Sequence, residues 1–138
     1  MQRVLLHSPY IFQYRNILQS SMRSLMHSYF GLMVMKTIVV EFGSVYIRGG
    51  FANETSPRFI TESLNILNVN DSQRLTIKLV DLFQRIFVEK LVVKPKDYSI
   101  LIIEKLSFSR LFRDTLLTIL FREFQVRICY LTSHNFIL

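Results

Sequence analysis

Thr37–Ala52 reads TIVVEFGSVYIRGGFA, an apolar run that meets Gly43 and Ser44 and turns back through VYIRGG. The pattern predicts strand, tight glycine turn, strand. Gly43 supplies the backbone freedom that a tight reversal needs, and the Gly49–Gly50 pair allows a bulge or the close approach of another segment or a ligand. Ile38, Val39 and Val40 form a run suited to a strand buried on both faces, while Glu41 and Arg48 bring opposite charges close to the turn. On geometry alone two readings stay open, an ordinary hairpin or a loop that cradles phosphate.

Working outward, the 138 residues are 50% hydrophobic, enough for one modest core. The formal charge of +7 is unevenly spread: residues 1–40 hold Arg3, Arg15, Arg23 and Lys36 and no acid. From Glu41 onward thirteen Lys or Arg face ten Asp or Glu, so this part is only mildly basic. A nucleic-acid partner is not expected from such a surface. Cys129 is the sole cysteine, in VRICYL, and reads as a buried thiol of a reducing compartment. His7, His27 and His134 lie far apart, without ligand-like spacing, so no metal site is expected. No uninterrupted apolar stretch is long enough for a transmembrane span.

Residues 1–36 read as an irregular or mispredicted N-terminal extension, with some helix over Tyr14–Tyr29 where Ile17, Met22, Leu25 and Met26 form an apolar stripe. Beyond the hairpin, Pro57 biases Ser56 toward extended backbone, so Arg58–Thr61 is a third strand. Asp71 or Ser72 caps a helix from about Gln73 to Leu91, with Leu75, Leu79, Leu82, Phe83, Ile86 and Phe87 on one face. After the stop at Lys94–Asp97, YSILIIE over Tyr98–Glu104 is an interior strand. Ser107 or Ser109 caps a helix over about Arg110–Phe124, and Val126–Thr132 returns as the last strand. Strand, helix, strand at this spacing joins parallel neighbours in one sheet. Glu104 ends its strand where ligands bind in such sheets, although packing is the commoner role. His134 has no nucleophile or acid placed beside it, and no catalytic residue is assigned.

VVEFGSVYIRGGFANETSPRFI resembles the opening of actins and actin-related proteins, where an acid, a glycine and a serine or threonine make the first phosphate loop between two strands. LVVKPKDYSILIIEKLSFSRLFRDTLLTILFREFQV is similar to the family segment pairing a strand that ends in Glu with a helix that ends in a Phe-containing motif. The resemblance spans Thr37–Leu138 and implies an α/β fold: a partial actin-like, ribonuclease H-like ATPase fold, first lobe only, with a mixed five-stranded sheet and helices. It places Gly43, Ser44 and Val45 on the phosphate loop and Arg48 where the family sets a basic residue near the phosphates. Glu41 replaces the usual Asp, Val45 stands where the loop normally has glycine, and Asn53 replaces another glycine. ATP or ADP is implied for a full-length protein and no cofactor for this fragment, which lacks the second phosphate loop and so is not expected to be an enzyme.

Within the family the resemblance leans toward dynactin-type members. It implies a structural role at the dynactin pointed end, with dynactin subunits and the end of an actin-like filament as partners, indirect association with dynein, and a place in the cytoplasm and cytoskeleton. The alternatives are an ATP-binding actin-like protein with weak ATPase activity and a structural subunit of a nuclear chromatin-remodelling complex.

Overall fold

The computed structural model describes residues 36–104 and 107–133. The helix expected over Tyr14–Tyr29, the extension to residue 35 and His134 lie outside the described residues. Five strands form one sheet: β1 (Thr37–Phe42), β2 (Tyr46–Phe51), β3 (Phe59–Glu62), β4 (Ser99–Glu104) and β5 (Ile128–Ser133). The helical elements are two α-helices, α1 (Ser72–Arg85) and α2 (Arg110–Arg122), a π-helical turn over Ile86–Lys90 that continues α1, and short 3-10 turns at Ile66–Asn68 and Pro95–Asp97. The sheet order is β3-β2-β1-β4-β5. β1 pairs antiparallel with β2 and parallel with β4, and β4 pairs parallel with β5. The mixed five-stranded sheet with flanking helices therefore stands as expected, with the ends at Glu104 and Arg110 matching and the others displaced by up to six residues.

The central strands form because β-branched residues dominate them, and because side chains alternate, each strand feeds two faces. Ile38, Val40 and Phe42 of β1 join Ile100 and Ile102 of β4 on an inner face. There they meet Leu75, Leu79, Leu82 and Phe83 of α1 and Phe112, Leu116, Ile119 and Leu120 of α2. Phe42 is the hub, its ring lying 5.6 Å from both Phe108 and Phe112 in edge-on geometry and 6.2 Å from Phe83.

Both caps come from residues that the spacing named. Asp71 accepts from the backbone N–H groups of Gln73 (2.8 Å) and Arg74 (3.2 Å), and the Ser109 hydroxyl accepts from Phe112 N–H (3.1 Å). The helix ends depart from expectation. Val92 and Gln125 both take left-handed φ values of 54° where glycine normally sits. Each lets the next residue donate back six positions, Val93 N–H to the Phe87 carbonyl (2.9 Å) and Val126 N–H to the Leu120 carbonyl (3.1 Å). Val126 is buried and Val93 half-buried, so the apolar residue that follows each left-handed position anchors the reversal.

Val92 is the strained member, a β-branched residue with φ 54° and 78% of its surface exposed. Left-handed backbone costs an L-residue about 1–2 kcal/mol, and Val92 buries too little to offset it. Val92→Gly should therefore raise stability by about 1 kcal/mol in urea unfolding, against the usual cost of placing glycine in a folded chain. An unchanged or lower midpoint would contradict this reading of the turn.

Candidate functional site

The carboxyl ends of β1 and β4 lie side by side, since Phe42 pairs with Glu104 in the parallel register. The hairpin turn Gly43–Val45 emerges at this edge, closed by Gly43 N–H donating to the Tyr46 carbonyl (2.9 Å). Gly43 was expected to supply special backbone freedom, yet no described glycine has a positive φ. The turn is instead held by Ser63, one residue past β3. Its N–H donates to the Val45 carbonyl (2.8 Å) and its hydroxyl to the Ser44 carbonyl (2.7 Å). Ser63 is 5% exposed, so this brace sits inside the fold while Ser44 and Val45 face solvent. Nothing in the sequence marks Ser63, an isolated serine whose role depends on the β2–β3 pairing.

Beneath the turn, antiparallel register sets Glu41 directly opposite Arg48. Arg48 Nε donates to Glu41 Oε2 (2.7 Å) and Nη2 to Oε1 (3.1 Å), a two-pronged contact between side chains only 7% and 3% exposed. A fork of this kind offsets the cost of burying two polar side chains, where either alone would be costly. Opposite charges near the turn were legible in sequence, and the register turns that proximity into a pair.

Glu104 is also buried. It accepts from Phe108 N–H at 3.3 Å and pairs with Arg113 at 3.4 Å, which ties the end of β4 to the start of α2. Its role is thus packing and loop closure, the commoner of the two readings.

Of the residues assigned to a phosphate loop, Gly43, Ser44 and Val45 stay together on the turn, whereas Arg48 is drawn under it toward Glu41. The groups of such a turn able to donate to a phosphate are its backbone N–H groups and the Ser44 hydroxyl, and of these Gly43 N–H donates to the Tyr46 carbonyl. Glu41 is balanced by Arg48 and Glu104 by Arg113, and the Ser44 and Val45 carbonyls are engaged by Ser63. A wide-open cleft of about 570 Å³ lies elsewhere, lined by Asn65, Asn68, Asp71, Arg74 and Lys78 among others, and contains none of the four assigned residues. There the Asp71 carboxylate already occupies the anion position at the α1 N-terminus.

Cys129 is partly rather than fully buried, and packs against the inner core from β5. Desolvation pushes its thiol up to about 12, so at neutral pH it is a neutral, weakly nucleophilic group. Among the described residues no group of three His, Cys, Asp or Glu side chains is placed to hold a metal ion. No described helix is long and apolar enough to cross a membrane.

No family model matches the chain. The chain is similar to actin-related protein 10 of Dictyostelium discoideum, with 26% identity over 126 aligned positions that take in 65% of this chain. The match covers 26% of the relative, so this chain corresponds to about a quarter of that protein's length. A weak, partial similarity to an actin-related protein is thus joined to a braced turn at the edge of a mixed five-stranded sheet.

Proposed function

We propose that this chain is part of the first lobe of an actin-related protein and serves as a structural subunit at the pointed end of dynactin, without turning over nucleotide. In this reading the fold is a partial ribonuclease H-like ATPase fold retained as scaffold. Its partners are dynactin subunits and the end of a short actin-like filament, and it supports dynein-based transport along microtubules in the cytoplasm.

Three antiparallel strands followed by a parallel strand, helix and strand support the fold assignment, as does the similarity to an actin-related protein. The observation that carries the non-enzymatic role is the Glu41–Arg48 fork. A carboxylate at the family's acidic position, balanced by a buried guanidinium of the same hairpin, serves the stability of the lobe rather than phosphate chemistry.

Tagged full chain expressed in animal cells should co-purify with dynactin and dynein subunits. Recovery of chromatin-remodelling subunits instead would move the role to the nucleus. Recovery of neither would overturn the proposal.

A further inference from the structure

Three cavities follow one another along α1, bounded on their other side by β3 and the connection after it, and shared lining residues join them into one trough. The polar cleft of about 570 Å³ near the start of α1 shares the exposed Leu64 and Lys78 with a pocket of about 230 Å³ over Ile47, Ile66 and Leu82. That pocket shares Leu82 and Arg85 with a smaller one of about 100 Å³ beside Phe59 and Thr61. From Arg74 in the first to Lys90 in the last, the helical wall runs about 24 Å at 1.5 Å per residue.

The β3 wall is a sheet edge. Among the described residues β3 pairs only with β2. Ser63 N–H donates to the Val45 carbonyl and Thr61 stands opposite Ile47, so by alternation Phe59, Thr61 and Ser63 direct their backbone groups at β2. Ile60 and Glu62 direct theirs at the open edge, where neither has a backbone partner among the described residues. An edge of this kind is a template for a further strand. The side chains of Phe59 and Thr61 line the trough, so alternate side chains of an added strand would enter it as well.

Charge decides which end of an occupant goes where. In the polar cleft Arg74 and Lys78 make no ion pair among the described residues, and the one carboxylate beside them, Asp71, is engaged by the first N–H groups of α1. Further along, Asp81 is paired with Arg85, and the far end holds both Glu89 and Lys90. The surplus of positive charge is therefore confined to the Arg74 end. We propose that the trough binds an extended peptide segment of another protein, about seven residues long at roughly 3.3 Å each, added to β3 as a further strand. Its acidic end lies over Arg74 and Lys78, and an apolar side chain fills the pocket over Ile47, Ile66 and Leu82. This site does not depend on the dynactin reading, since its chemistry asks only for an acidic, extended peptide.

Panning a phage-displayed library of random short peptides against the purified full chain tests the proposal. Selected peptides should cluster acids at one end and carry an apolar residue next to them. Fluorescence anisotropy with a fluorescein-labelled copy of the consensus should show binding that Arg74→Glu combined with Lys78→Glu weakens about tenfold or more. Ile60→Pro removes only the outward N–H of β3 and leaves the ladder to β2, so it should abolish binding while the thermal midpoint shows that the sheet survives. N-methylation of alternate peptide amides asks the same question without altering the protein: one register should abolish binding and the other should preserve it. Three results would overturn the proposal: no acidic consensus, binding that persists in the charge-reversed double variant, or equal tolerance of N-methyl groups in both registers.

Discussion

Arg48→Ala should destabilise the chain by about 3–5 kcal/mol, the cost of removing one member of a buried, two-pronged ion pair. Glu41 cannot regain water, because its side chain is 3% exposed and lies on the central strand. An exposed ion pair would cost under about 1 kcal/mol, so the size of the loss separates the two situations. Replacing both partners with apolar residues of similar volume, Glu41→Leu with Arg48→Met, should recover most of the loss. Urea unfolding of the two singles and the double variant supplies the cycle, and a single-variant loss below about 1 kcal/mol would contradict a buried keystone.

Gly49→Ala is expected to be comparably severe, at about 3 kcal/mol or more, although the same change at an open site stabilises by about 0.4–1 kcal/mol through the unfolded chain. A Cβ at Gly49 would lie 2.3 Å from the Val39 carbonyl oxygen and 2.9 Å from Phe59 Cζ. The first contact is backbone of the central strand, so trimming the Phe59 ring would leave it in place. Phe59→Leu should therefore rescue little of the loss in the double variant. A wild-type midpoint for Gly49→Ala in thermal or urea unfolding would mean that β2 and β1 are not so closely apposed.

These two effects also show what the sequence could and could not disclose. Uninterrupted β-branched runs located β1 and β4, three- and four-residue spacing located both helices, and Asp71 and Ser109 were named as caps, because each of these signals is local. The double glycine was visible, but the choice between a bulge, a ligand and a neighbouring segment required the fold. The space is taken by β1 beside Gly49 and by Pro57–Arg58 beside Gly50.

Helix ends at Val92 and Gln125 were hidden because neither is glycine or asparagine, and burial of the following residue imposes the left-handed turn. At the candidate site, the turn Gly43–Val45 was legible and its supports only partly so. Glu41 and Arg48 were recognised as charges near one another, whereas Ser63 acts nineteen residues beyond Ser44, through strand pairing that no local pattern encodes.

The central claim is that the hairpin resembling a phosphate loop is an internally balanced scaffold. Titrating the full chain with ATP and magnesium while following its thermal midpoint tests it most directly. A site occupied at about one hundred times its Kd would add about 2.7 kcal/mol, a shift of several degrees. The account predicts no saturable shift up to millimolar nucleotide. A saturable rise that Ser44→Ala abolishes would contradict it and restore the turn as a working nucleotide site.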